Sequence, residues 1–251
     1  MRRIRFSSAL GKRFCVSVGG WCDLDEAASA CLAREASYHS CVTVHLLTGL
    51  GATSALYTGY EFPFLTNRVE YSRPSSLRWS FADYAQHLIE TQNIQSGDSL
   101  IGVSLGGMLA CEVSKRVSIS KITLISSCTQ RVHLRPLLSH LSFLGPHLPW
   151  LWLQRCACSV PGMSEARKLA VSMFRESDPV FVRWACSHAA NWDGLIEHPD
   201  RVSIHGDRDS VFPIRRQIIQ HLIPGGDHLM AITRRLEILP LLIERHGGNN
   251  H

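Results

Sequence analysis

Residues 99–103, Ser-Leu-Ile-Gly-Val, are apolar at every position after the first, so a strand built from them cannot face water on either side. Such a strand belongs inside a parallel sheet covered by helices on both faces, which commits the chain to a βα architecture. Further strand candidates stand at 42–47, 67–71, 121–126 and 202–205, with a weaker one at 220–223. Between them the apolar spacing turns helical at 81–91, 106–116 and 230–245. Ser80, with Asp83 three residues on, marks the start of the first of these helices.

The interval 128–200 is far longer than an ordinary crossover connection of about a dozen residues. Its Leu, Trp and Pro content, with helical spacing at 165–174 and 179–190, predicts a small helical cap inserted ahead of the strand at 202. Residues 1–41 carry little periodicity beyond a short strand at 14–18 and a weak helix at 23–36. They read as an N-terminal extension to a main domain at 42–245, with a short tail at 246–251.

With 45% apolar and 19% charged residues, a chain of 251 can bury a sizeable core, which excludes disordered and fibrous classes. The net charge of +5 is concentrated in Arg2, Arg3, Arg5, Lys12 and Arg13, and the rest of the chain forms no basic stripe, so nucleic acid is not an expected partner. The greasiest segment, 137–153, is interrupted by His140, Gly145, Pro146, His147 and Pro149, and stable membrane insertion is not expected. Nine cysteines without a Cys-x-x-Cys pair, Cys156-x-Cys158 coming nearest, read as reduced thiols of a cytoplasmic protein without a metal site. No cofactor is suggested, because no Gly-rich string has the context of a phosphate cradle. The sequence does not specify an oligomeric state.

Chemistry enters where the apolar strand at 99–103 meets the helix at 106–116. The junction, Gly102-Val103-Ser104-Leu105-Gly106-Gly107, places a serine at a helix N-terminus between glycines two before and two after. Those glycines suit a turn whose neighbouring backbone leaves no room for side chains, and the orphan N–H groups of the helix start favour a developing oxyanion. A serine hydroxyl needs a base, and the base an anionic orienter, which follow in the order Ser, acid, His in this kind of fold. The segment 202–213, Val-Ser-Ile-His-Gly-Asp-Arg-Asp-Ser-Val-Phe-Pro, supplies two acids, and Pro224-Gly-Gly-Asp-His-Leu-Met supplies His228.

Asp209 is the expected orienter because it lies further past the strand, where the loop turns back; Asp207 is expected to accept backbone N–H groups within the turn. Asp193 and Asp227 read as surface-loop acids, and His45 and His205, in or at the end of strands, as local hydrogen-bonding groups. His133, His140 and His147 fall to the cap. The oxyanion donors are expected to be the N–H groups of Leu105 and of Leu50, the latter in the turn Thr48-Gly49-Leu50-Gly51-Ala52. Leu50, Trp150 and Trp152 are expected to touch substrate, with the apolar cap segment roofing the acyl pocket.

In these segments the chain resembles the α/β-hydrolase fold, and more narrowly small single-domain bacterial serine hydrolases of that fold. The resemblance rests on Gly49 to Ala52, Gly102 to Gly107, Asn191-Trp192, His205 to Pro213 and Gly225 to Met230, and covers about residues 42–245. Thr48 stands where many of these enzymes carry histidine, and residues 1–41 do not look like the two opening strands of the full fold. The resemblance implies a mostly parallel sheet flanked by helices, with a cap before the acid strand. It implies a serine hydrolase that forms an acyl-enzyme on Ser104 from a small, largely apolar ester or acyl substrate. A thioesterase, an acyltransferase, a C–C hydrolase or a non-catalytic ligand-binding protein on the same scaffold stays open as an alternative.

Overall fold

The computed structural model describes residues 42–130, 147–189, 192–194, 197–214 and 218–247, together with the backbone of three short strands before residue 24. The chain forms two compact units, Met1–Cys41 and Val42–His251. In the first, β1 (Ser7–Ala9), β2 (Lys12–Ser17) and β3 (Gly20–Asp23) make an antiparallel sheet in that order, with Phe14 opposite Asp23 and Ser17 opposite Gly20. The weak helix expected at 23–36 lies outside the described residues beyond Asp23.

The second unit is built on six parallel strands: β4 (Val44–Leu47), β5 (Thr66–Arg68), β6 (Ser99–Val103), β7 (Lys121–Ile125), β8 (Arg201–Gly206) and β9 (His221–Ile223). Their spatial order is β5-β4-β6-β7-β8-β9. Alternation along the strands divides the core into two layers. Leu47, Leu100, Ile122 and Leu124 pack on one face; Leu46, Ile101, Val103, Ile125 and Ile204 pack on the other. Both faces are therefore apolar, as the continuous runs require.

Helix α1 (Phe81–Thr91) begins in a full capping box between Ser80 and Asp83, and buries Phe81, Tyr84, Ala85 and Leu88 at the spacing of one helical face. Helix α2 (Leu105–Ser114) is buried all round from Leu105 to Val113, which suits a helix packed between the sheet and α1. Its one acid, Glu112, receives Lys115 at 2.7 Å, Arg116 at 3.0 Å and the indole N–H of Trp192 at 2.9 Å. These partners offset the upward push of burial and hold its carboxyl below the usual range.

In the 128–200 interval, three helices form the described part of the cap: α3 (Trp150–Cys156), α4 (Glu165–Glu176) and α5 (Pro179–Ala189). Buried Gln154 ties α3 to the end of α4, its side-chain amide donating to the carbonyls of Phe174 and Ser177. The last helical pattern divides at Arg234 into α6 (Met230–Thr233) and α7 (Arg235–His246). Helix α7 runs one residue into the segment read as a tail, and His246 is buried with its Nε2 2.9 Å from Thr123 Oγ1. Among the described residues, no helix is long and apolar enough to cross a membrane.

Burial lowers the pKa of His45, His205 and His246, the last to about 4. Each is held neutral in the fold, yet protonates near 6.5 once the chain unfolds. Below that pH the unfolded state binds more protons, so stability falls as pH drops from about 6.5 towards 4. For His246 the shift corresponds to about 3 kcal/mol at the acid end. Urea midpoints at about pH 7.5 and about pH 4.5 measure the effect, and His246→Gln should narrow the difference between them.

Candidate active site

Ser104 sits between β6 and α2 with φ 53° and ψ −117°, a left-handed conformation that a non-glycine residue adopts only when its surroundings enforce it. The enforcement is steric and polar. A side chain at Gly102 would meet the backbone of Gly106 and Gly107 at 2.5 Å, and one at Gly106 would meet the carbonyls of Leu47 and Thr48 at 2.5 Å. The Ser104 N–H donates to Ile125 O at 2.9 Å, and its carbonyl accepts the Ser127 hydroxyl at 2.6 Å. Strand β7 thus grips the turn from one side while the loop after β4 closes it from the other.

The three residues expected to act together meet here, although 124 positions separate Ser104 from His228. Ser104 Oγ lies 3.0 Å from His228 Nε2, and His228 Nδ1 lies 2.9 Å from Asp209 Oδ2. The other Asp209 oxygen accepts the N–H groups of Val211 at 2.8 Å and Phe212 at 3.0 Å. Burial pushes the Asp209 carboxyl up, but the His228 hydrogen bond and these two N–H donors outweigh it and leave the group below the usual carboxylate range. An anionic Asp209 accepts from His228 Nδ1, which puts the ring's lone pair on Nε2, facing the serine.

Asp207 instead accepts the Gly225 N–H at 2.7 Å, tying the acid loop to the histidine loop. Asp227 accepts the Leu229 N–H, and Asp193 is exposed. His205 bonds locally, to the Phe212 carbonyl at 2.7 Å. His45 does not: its Nε2 reaches Asp98, 53 residues away, at 3.1 Å, because strand pairing brings the start of β6 beside β4. His147 lies in the cap and is exposed; His133 and His140 lie outside the described residues.

The turn after β4 rests on the serine. A side chain at Gly49 would stand 3.4 Å from Ser104 Cβ and 4.0 Å from its Oγ. No hydrogen bond joins the Leu50 or Leu105 N–H to another described residue, so both remain donors; Leu50 is exposed at the site, whereas the Leu105 side chain is buried. Two tyrosines hold this turn: Tyr57 donates to Leu47 O and Tyr71 to Thr48 O, each at 2.8 Å. Neither they nor Ser127 stood out in the sequence. For Ser127 a signal existed, since polar residues just past the carboxyl end of a central parallel strand face the crevice of such sheets.

Beside Ser104 and His228 lies a cavity of about 130 Å³ walled by Leu50, Ala52, Leu56, Met173, Phe174 and Ile232, with no charged side chain among its described lining residues. Trp150 and Trp152, expected as substrate contacts, are not part of this wall. In the short helix α3 the buried residue is Gln154; Trp152 stands about 200° round the helix from it and is 61% exposed. The cap reaches the cavity through Ala170, Met173 and Phe174 of α4 instead. Phe143, at the other end of the expected roof, lies outside the described residues.

Among the described residues the cysteines are unpaired, and no group of three or more His, Cys, Asp or Glu could hold a metal ion. Burial pushes the Cys111 and Cys186 thiols up to about 12, which keeps them protonated.

The sequence matches the model of the alpha/beta hydrolase family over residues 15–241, a span that begins within the first compact unit rather than at residue 42. No curated protein matches it. Among solved structures, a hydrolase from Oleispira antarctica is similar with a TM-score of 0.63 at 20% identity, over 83% of this chain and 92% of that one. A thermophilic esterase from Thermogutta terrifontis aligns with a TM-score of 0.60 at 13% identity, over 81% and 88% of the two chains. A meta-cleavage product hydrolase from Pseudomonas fluorescens aligns with a TM-score of 0.58 at 17% identity, over 83% and 92%.

Proposed function

The chain belongs to the alpha/beta hydrolase family, and from that premise we propose that it is a serine hydrolase cleaving a carboxylic ester of a small, largely apolar substrate through an acyl-enzyme on Ser104. The observation that carries this reading is the unbroken hydrogen-bonded path from Ser104 through His228 to Asp209 beside an uncharged cavity.

His228 takes the hydroxyl proton as Ser104 Oγ adds to the ester carbonyl, then returns it to the departing alcohol as the carbon–oxygen bond breaks. Asp209 fixes the ring tautomer and balances the imidazolium that forms between these steps. The N–H groups of Leu50 and Leu105 hold the oxyanion, each donor of this kind contributing about 3 kcal/mol to the transition state. Water, activated by the same histidine, then releases the acid and regenerates the serine.

The cavity sets the acyl group. With walls of Leu, Ala, Met, Phe and Ile, short to medium uncharged acyl chains should be turned over best. A charged acyl group finds no counter-ion among the described lining residues, and kcat/KM for it should fall by about 100-fold or more. A panel of p-nitrophenyl esters and acyl thioesters of graded length, run beside Ser104→Ala, tests both the reaction and the acyl preference. A strict preference for a charged acyl group overturns the substrate class, and a strong preference for thioesters replaces the ester assignment.

A further inference from the structure

His205 is the second histidine at this site and the proposed chemistry does not use it. It lies in β8, fully buried, and its register against Leu222 of β9 fixes it to the sheet. Its Nε2 is 2.7 Å from the Phe212 carbonyl, which can only accept, so this nitrogen carries the proton. The same Nε2 stands 3.5 Å from Asp209 Oδ2. The opposite nitrogen, Nδ1, is buried and has no hydrogen-bond partner among the described residues. A side chain that packs for its own sake has little reason to bury an unpaired ring nitrogen. Here the exposed benefit is on the other edge of the ring.

That edge closes a circuit. Phe212 gives its carbonyl to His205 and its N–H to Asp209 Oδ1 at 3.0 Å, and its ring packs against that of His228 in a tilted pair with centroids 5.5 Å apart. Asp209 Oδ2 then receives His228 Nδ1 at 2.9 Å. Residues 207–213, which bear Asp209, are turns and bends without helix or strand, so its carboxylate takes its direction from these contacts.

We propose that His205 is a positioning residue: from the rigid strand β8 it clamps Phe212 and, through Phe212, aims the Asp209 carboxylate at His228. This inference rests on the reading of Ser104, His228 and Asp209 given above. Burial holds the His205 pKa below the ordinary range against the opposing pull of Phe212 and Asp209, which keeps the ring neutral and its single donor directed at the loop.

Amide replacements test the clamp by reach, because a glutamine amide nitrogen can occupy the place of Nε2 while the shorter asparagine cannot. Three variants, His205→Phe, His205→Asn and His205→Gln, are compared by kcat and KM for the best ester of the panel, and by thermal melting to establish that each is folded. A second readout needs no turnover: the downfield proton resonance of the His228 Nδ1–H bound to Asp209. His205→Phe and His205→Asn should lower kcat by about 100-fold with KM little changed, and should broaden or move that resonance. His205→Gln should stay within about tenfold of the parent and keep it. Folded Phe or Asn variants with an unchanged resonance and kcat overturn the proposal, as does a folded Gln variant that rescues neither. If His205→Phe does not fold, the Asn and Gln pair decides alone. Should Ser104→Ala leave turnover intact, the serine hydrolase reading fails, while the resonance still reports whether His205 aims Asp209.

Discussion

Replacing Ser104 with alanine should lower kcat for ester hydrolysis by about 10⁴- to 10⁶-fold with the fold intact. Among the described residues the hydroxyl makes one hydrogen bond, to His228, whereas the turn is held through the Ser104 backbone: its N–H donates to Ile125 O, and its carbonyl accepts the Ser127 hydroxyl. Alanine keeps both. A fluorophosphonate probe should label the parent at Ser104 and leave the variant unlabelled. The backbone strain adds a second reading of the same position. A φ of 53° with ψ −117° costs a non-glycine residue about 1–3 kcal/mol, so Ser104→Gly should be as inactive as alanine yet melt at a higher temperature. Ester turnover in Ser104→Ala within tenfold of the parent would mean that another group is the nucleophile.

Asp209→Asn should cost about 10⁴-fold in kcat, through the tautomer of a neighbouring ring rather than through lost bulk. Oδ1 of Asp209 faces two N–H donors, from Val211 and Phe212, so the asparagine must keep its oxygen on that side. Its NH₂ group then points at His228 Nδ1, 2.9 Å away in the parent. Two donors cannot share that contact, so Nδ1 gives up its proton and Nε2 takes it. The nitrogen facing Ser104 then has no lone pair with which to accept the hydroxyl proton. Pre-steady-state measurement of acylation isolates the step. KM should move little, because Asp209 is buried behind the histidine and does not line the cavity. Activity of Asp209→Asn within tenfold of the parent would remove the orienting role and return attention to Asp207.

The two predictions draw on different amounts of tertiary information. Ser104 could be singled out because its neighbours are its own chain: an apolar strand, glycines at fixed offsets and a helix, all within residues 99–116. Asp209 and His228 could be named from chain order and loop composition. Their distances, 3.0 Å and 2.9 Å, depend on β8 lying beside β7 and on Asp207 holding the histidine loop through Gly225, which no local pattern encodes. The cap shows the opposite outcome. Its helices at 165 and 179 were legible from spacing, yet Trp150 and Trp152 were expected at a cavity that Met173 and Phe174 line instead. Aromatic content says that a segment seeks cover; it does not say which way a seven-residue helix is turned about its axis. Tyr57 and Tyr71, which hold the turn of Leu50, carried no signal because their partners are backbone carbonyls, present at every residue.

What the sequence by itself determined is the parallel sheet covered on both faces and the sharp turn at Ser104, because hydrophobic period and steric room at glycine act over a few neighbouring residues. Only the tertiary structure decided which cap side chains wall the cavity, that His45 pairs with Asp98, and that His205 grips the loop of Asp209 through Phe212. Those contacts join residues on separate elements, and their geometry is settled by the packing of one element against another, a property of the assembled fold rather than of any stretch of chain.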